Sequence, residues 1–134
     1  MDKREAKQYS PLALAYLGDA VYDRLVRKML VKSANMSAGK LHKKGVHLVN
    51  AHYQASCAKV LESCLTEEES DILRRGRNAK SLTVPKNADV IEYRLATGLE
   101  ALFGYLELIG DKDRIEEIFK MCMDIDDSGG NENA

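Results

Sequence analysis

Proline is the residue a helix interior rejects most strongly, at about 3 kcal/mol, and this chain of 134 residues has only two, Pro11 and Pro85. Around them apolar residues recur three and four positions apart, the period of a helix with one face buried. No stretch alternates apolar and polar residues as a half-exposed strand would, and no internal repeat is evident. The pattern predicts an all-α domain of about six or seven helices. The length suits one domain with a proper core.

Ser10-Pro11 is a start signal, a capping hydroxyl followed by proline at the first helical position. The helix from Pro11 to about Val31 carries Leu14, Leu17, Val21, Leu25 and Met29 on one stripe. Leu12, Ala15, Asp19, Tyr22 and Val26 form a second face, so this helix is expected to pack on two sides. Ser37 is expected to cap a short basic helix with Lys40, Lys43 and Lys44, ending near Gly45. A further helix is expected from His47 to Cys64, with Cys57 and Cys64 as small core residues. Thr66 and Glu69 fit a capping box opening a helix that runs to about Arg77. Residues 78–87 read as a loop, and a long apolar helix from about Ala88 ends at Gly110. Its leucine face is Ile91, Leu95, Leu99, Leu102, Leu106 and Ile109, and Asn87 is the candidate cap. A last helix is expected over Lys112–Met123. The domain is thus read as 1–123, followed by an acidic tail over 124–134 that is expected to be disordered and frayed.

Two acids sit where the pattern disfavours them. Asp19 follows a helix-interior glycine, Gly18, which costs about 1 kcal/mol against alanine. Glu100 lies on the small-residue face of the long helix, with Tyr93, Ala96, Thr97, Phe103 and Gly104. An acid among core residues is unfavourable unless something pairs with it. Two readings follow: the acids converge on a divalent cation, or each pairs with a lysine or arginine. Asp23 is expected to pair with Arg27 one turn on.

Net charge is −1, so any affinity for nucleic acid has to come from local clustering. The segment from Arg74 to Lys86 has five basic residues and no acid, whereas 111–134 has eight acids against three bases. Arg74, Arg75, Arg77, Lys80 and Lys86 are therefore candidates for tracking a phosphate backbone. Cys57, Cys64 and Cys122 are odd in number and form no C-x-x-C pair, which favours free thiols in a reducing cytoplasm. No apolar run approaches the ~18 residues of a membrane span. His42, His47 and His52 are five apart, not at the helical zinc spacing, and are expected to be exposed.

The stretch Leu14-Ala15-Tyr16-Leu17-Gly18-Asp19-Ala20-Val21 resembles the nuclease motif of the ribonuclease III family. Leu99-Glu100-Ala101-Leu102-Phe103-Gly104 resembles that family's second motif. Order, spacing and length, together with Arg74–Lys80 and Pro85–Ala88, resemble its mini-ribonuclease III branch, which has no double-stranded-RNA-binding domain. The resemblance implies a ribonuclease III-like endonuclease domain that cuts double-stranded RNA and leaves 5′-phosphate and 3′-hydroxyl ends. It implies Asp19 and Glu100 as the catalytic, metal-holding acids, with magnesium as cofactor and manganese as a substitute. It further implies a cytoplasmic homodimer with Tyr16 at the interface, and 23S ribosomal RNA precursor as substrate. A ribosomal protein or particle is a further candidate partner. Full-length family members have additional acids at the positions of Ala15 and Thr97, and the mini branch shares their loss. Fewer protein ligands imply weaker metal binding with more coordinating water. The alternative is a non-catalytic RNA-binding or ribosome-associated protein on the same fold.

Overall fold

A computed structural model describes residues 1–80 and 83–133, with side chains up to residue 125. The described backbone is all-α: α1 (Lys3–Lys7), α2 (Pro11–Ser33), α3 (Ala38–Val49), α4 (Ala51–Leu61), α5 (Glu67–Arg77), α6 (Val90–Ile109) and α7 (Lys112–Asn133). Several boundaries follow from local chemistry that the sequence states openly. The Ser10 hydroxyl accepts from the Ala13 N–H at 3.1 Å with Pro11 at the start of α2. Thr66 and Glu69 close a reciprocal capping box on α5. Gly110, with φ 73° and ψ 24°, ends α6 in the left-handed conformation that glycine adopts without a Cβ penalty.

Other boundaries differ from the sequence pattern. The helix expected over His47–Cys64 is two helices, broken at Asn50. The Asn50 side chain serves both ends of the break. Its Oδ1 accepts from the Tyr53 N–H at 2.9 Å, while its Nδ2 donates to the Val46 carbonyl at 3.1 Å. Gly45 does not end α3, which continues to Val49. Asp89, not Asn87, caps α6. Cys64 lies beyond α4 and is exposed, whereas Cys57 and Cys122 are buried. Ile91 stands 68% exposed, off the leucine face assigned to it. The α1 helix is too short to show a period. The α7 backbone stays helical to Asn133, past the expected end at Met123.

Helix α6 is the hub. It packs against α2, α4 and α5, and more narrowly against α1 and α7. Leu95, Leu99, Leu102, Phe103 and Leu106 are buried along it. Tyr22 from α2 and Phe119 from α7 join Phe103 in an aromatic cluster, with Tyr22 ring centroids 5.7 Å from Phe103 and 6.0 Å from Phe119. The Tyr22 hydroxyl, which would otherwise be a costly buried donor, bonds to the Leu48 carbonyl. An ion pair between half-buried Arg114 and buried Glu69, at 2.8 Å, ties α7 to the start of α5.

The closest helix crossing fixes the rest. A Cβ on Gly18 would lie 1.6 Å from the Glu100 carbonyl oxygen, and one on Gly104 would lie 1.9 Å from the Leu14 carbonyl oxygen. Helices α2 and α6 therefore meet backbone to backbone, an approach that any side chain at either position would prevent. Gly76 and Gly98 do the same for α5 against α6. No helix among the described residues is long and apolar enough to cross a membrane.

Candidate metal-binding acids and RNA-facing surface

The glycine crossing has a direct chemical consequence. With Gly18 seated on the Glu100 backbone, the next residue, Asp19, has its carboxylate within hydrogen-bonding reach of the Glu100 carboxyl. Asp19 is exposed and Glu100 half-buried. Burial pushes the Glu100 carboxyl up to about 8, and the adjacent Asp19 pushes the same way, both by hydrogen bonding to the protonated form and by charge repulsion. Without a cation, Glu100 therefore keeps its proton at neutral pH, with Asp19 as its hydrogen-bond partner. The two acids that the sequence separates by 81 positions form one site.

A third polar group reaches this site from α4. Gln54 is 3% exposed, the amide of a helix otherwise buried through Ala55, Cys57, Ala58 and Leu61. Its amide lies near enough to Glu100 to favour the anion. It stops short of hydrogen-bond geometry, because its Nε2 has no partner among the described residues. The sequence does carry a signal for Gln54. It stands three residues after Ala51 and four before Ala58, on the apolar stripe of its helix, where a glutamine is out of place.

The positions of Ala15 and Thr97 add no further oxygen. Ala15 is buried, and the Thr97 hydroxyl donates to the Tyr93 carbonyl of its own helix at 3.0 Å. Asp23 pairs with Arg27 at 2.9 Å. Among the described residues no group of three or more His, Cys, Asp or Glu side chains is arranged to hold a metal. The donor set is two carboxylates that repel one another, with an unpaired amide behind them. Two hard oxygen donors with room for water fit magnesium or manganese better than zinc, which takes nitrogen and sulfur in closed sites.

The five basic candidates have different surroundings. Arg75 is half-buried and donates to the carbonyls of Lys7 at 3.0 Å and Tyr9 at 3.2 Å, which ties α5 to the α1–α2 turn. Arg74 is bound to Asp71 one turn earlier on α5. Arg77 is half-buried beside Asn78, whose side-chain oxygen accepts from its Nε at 3.4 Å. Lys80 and Lys86 are exposed on the α5–α6 connection. Ser81 and Leu82 of that connection lie outside the described residues. Tyr16, three residues before Asp19, is 86% exposed. Ala13, Leu17 and Ala20 flank it at helical spacing, and all but the half-buried Leu17 are exposed. Of the histidines, His42 and His47 are exposed, and His52 contacts Glu92.

Residues 12–111 match the ribonuclease III domain, a span that includes both acids. A mini-ribonuclease 3 of Enterococcus faecalis is 48% identical over 122 residues, covering 90% of this chain and 92% of that protein. One of Clostridium tetani is 42% identical over 132 residues, covering 97% of this chain and 87% of its relative. A crystal structure of a Fusobacterium nucleatum protein superposes with a TM-score of 0.79 at 33% identity, over 87% of this chain and 93% of that one. A domain match that spans both acidic helices, with relatives of one kind aligned nearly end to end, admits one assignment: the chain belongs to the ribonuclease III family, in its mini-ribonuclease III branch, and is an endoribonuclease.

Proposed function

We propose that this endoribonuclease cuts double-stranded RNA with a divalent cation held by Asp19 and Glu100, and that it works as a homodimer. The observation that carries this reading is the convergence of the two carboxyls at the Gly18–Gly104 crossing. A rigid crossing fixes both acids from backbone positions, which suits a site needing preorganised charge. Magnesium, or manganese in its place, supplies when bound a water of lowered pKa and positive charge for the scissile phosphate. Asp19 and Glu100 would hold that cation, Glu100 in its ionised form.

This domain carries basic side chains suited to gripping the duplex. A-form RNA is read largely through phosphates and 2′-hydroxyls, which suits the exposed Lys80 and Lys86 together with Arg74 and Arg77. The exposed Ala13, Tyr16 and Ala20, with half-buried Leu17 between them on α2, favour an isologous pairing of two α2 helices, with the partner acids beside it. Two sites in one valley then cut one strand each and leave 5′-phosphate and 3′-hydroxyl ends. The substrate proposed is the 23S ribosomal RNA precursor, met in the cytoplasm, where the three free thiols stay reduced.

The test is Asp19→Asn. Cleavage of an RNA duplex with magnesium should fall by more than about 100-fold, beyond what the loss of an outer-sphere partner costs. Folding and sedimentation should be unchanged, since Asp19 is exposed and asparagine keeps its size and an acceptor oxygen for the Glu100 proton. Cleavage near the wild-type rate would remove Asp19 from the chemistry.

A further inference from the structure

The buried amide of Gln54 is not explained by packing. A leucine or methionine would fill that place on α4 without leaving a donor unpaired, and a buried unsatisfied donor costs about 1–3 kcal/mol. The residues around it on its stripe, Ala51, Ala55 and Ala58, have no polar side-chain atom, and its Nε2 has no partner among the described residues. Its amide lies beside the Glu100 carboxyl, which is hydrogen-bonded to Asp19. Carboxylates that hold a metal are commonly steadied by a hydrogen bond from a neighbouring side chain, and the loss of such a partner costs about 10- to 100-fold in metal affinity or activity. Gln54 has the chemistry, the burial and the free donor for this role. Helix α4, packed on α6 through the core, gives it a rigid support.

We propose that Gln54 is the positioning residue of Glu100: its Nε2–H donates to the Glu100 carboxylate when the acid pair takes up a divalent cation, and so holds that carboxylate toward Asp19. This inference rests on the reading of Asp19 and Glu100 as metal ligands. Gln54 itself touches neither cation nor RNA. The donor stays idle in the metal-free protein and is used in the loaded one, so its removal acts on metal binding and spares the fold.

Manganese titration by calorimetry on the intact protein, free of RNA, tests this with Gln54→Met and Gln54→Leu beside wild type, Asp19→Asn and Glu100→Gln. Methionine keeps the length of the glutamine side chain and lacks the donors, so it serves if leucine perturbs the fold. Manganese affinity should fall about 10-fold or more in either folded variant. The metal-free melting temperature should stay level or rise, because an unpaired donor has been removed. In cleavage assays the half-saturating manganese concentration should rise by the same factor, with the KM for duplex at saturating metal unchanged. A purely structural glutamine would lower the metal-free melting temperature and leave manganese affinity alone, and that result would overturn the proposal. Wild-type affinity in Gln54→Met, with binding lost in Asp19→Asn, would reject the role of Gln54 while sparing the metal site. Absence of manganese binding by the wild-type protein would sink both.

Discussion

A carboxyl that keeps its proton at neutral pH leaves a signature in stability. Glu100 is pushed up to about 8, by burial first and by Asp19 second, from an ordinary value of 4.5. Between those two values the folded protein binds a proton that the unfolded chain has released. Stability of the metal-free protein therefore falls as pH rises through that window, and the full penalty is present above it. Melting curves in a chelating buffer should decline from about pH 5 to about pH 8 for wild type, whereas Glu100→Gln should lose most of that decline. Parallel profiles for the two proteins would show that Glu100 titrates normally. For the cation proposed at Asp19 and Glu100, the same linkage predicts an affinity that rises with pH, since binding would displace the proton. The unusual setting of Asp19 and Glu100 was legible from the chain itself, as acids beside small residues on apolar faces. Their convergence was one of two readings of the spacing and was implied by the family resemblance, but 81 positions of sequence separate them and only the helix crossing closes the gap. Gln54 was legible in principle as a polar residue on an apolar stripe, but its meaning depends on α4 facing Glu100.

At the scale of helices, the Gly18–Gly104 crossing sets the distance between the acids. A Cβ at Gly104 would enter the Leu14 carbonyl oxygen at 1.9 Å, and a backbone atom cannot swing aside as a side-chain end can. Gly104→Ala should force α2 away from α6 and cost more than about 3 kcal/mol, at or beyond the upper end of ordinary overpacking. Gly39 in α3 is the control. A Cβ there meets nothing within 4 Å, so Gly39→Ala should stabilise by about 0.5 kcal/mol by restricting the unfolded chain. Chemical denaturation of the two variants checks both values, and equal effects would mean that the crossing can yield. Helix starts with a dedicated cap, at Ser10, Ser37 and Thr66, were readable because the capping atom belongs to the residue in question. The break at Asn50 was hidden because the apolar period runs on through it. Asparagine there serves two helix ends at once, a tertiary economy that no local period reveals. The continuation of α7 past Met123 was masked by composition, since an acidic segment with Gly and Asn reads as a frayed end although no proline stands there to stop the helix.

Across the whole molecule the charge nearly cancels, so RNA affinity depends on which cations are free to meet phosphate. Counting basic residues between Arg74 and Lys86 gives five equal candidates, and the structure makes them unequal. Arg75 spends its donors on the Lys7 and Tyr9 carbonyls. Arg74 is bound to Asp71, whereas Lys80 and Lys86 project from the α5–α6 connection into solvent. Each phosphate neutralised releases condensed counterions and adds about 0.7 to 0.9 to the slope of log affinity against log salt. Removing Lys80 and Lys86 together should therefore lower that slope by about 1.5 and leave the melting temperature unchanged. Arg75→Ala should do the reverse, lowering the melting temperature by freeing α1 from α5 while the slope holds. Duplex binding by catalytically silent Asp19→Asn protein, titrated across a salt series, separates the two contributions without cleavage intervening. A slope that drops with Arg75→Ala and holds with the lysine pair would mean that the duplex lies across the α1–α5 junction, and that the connection between α5 and α6 is a solvated loop.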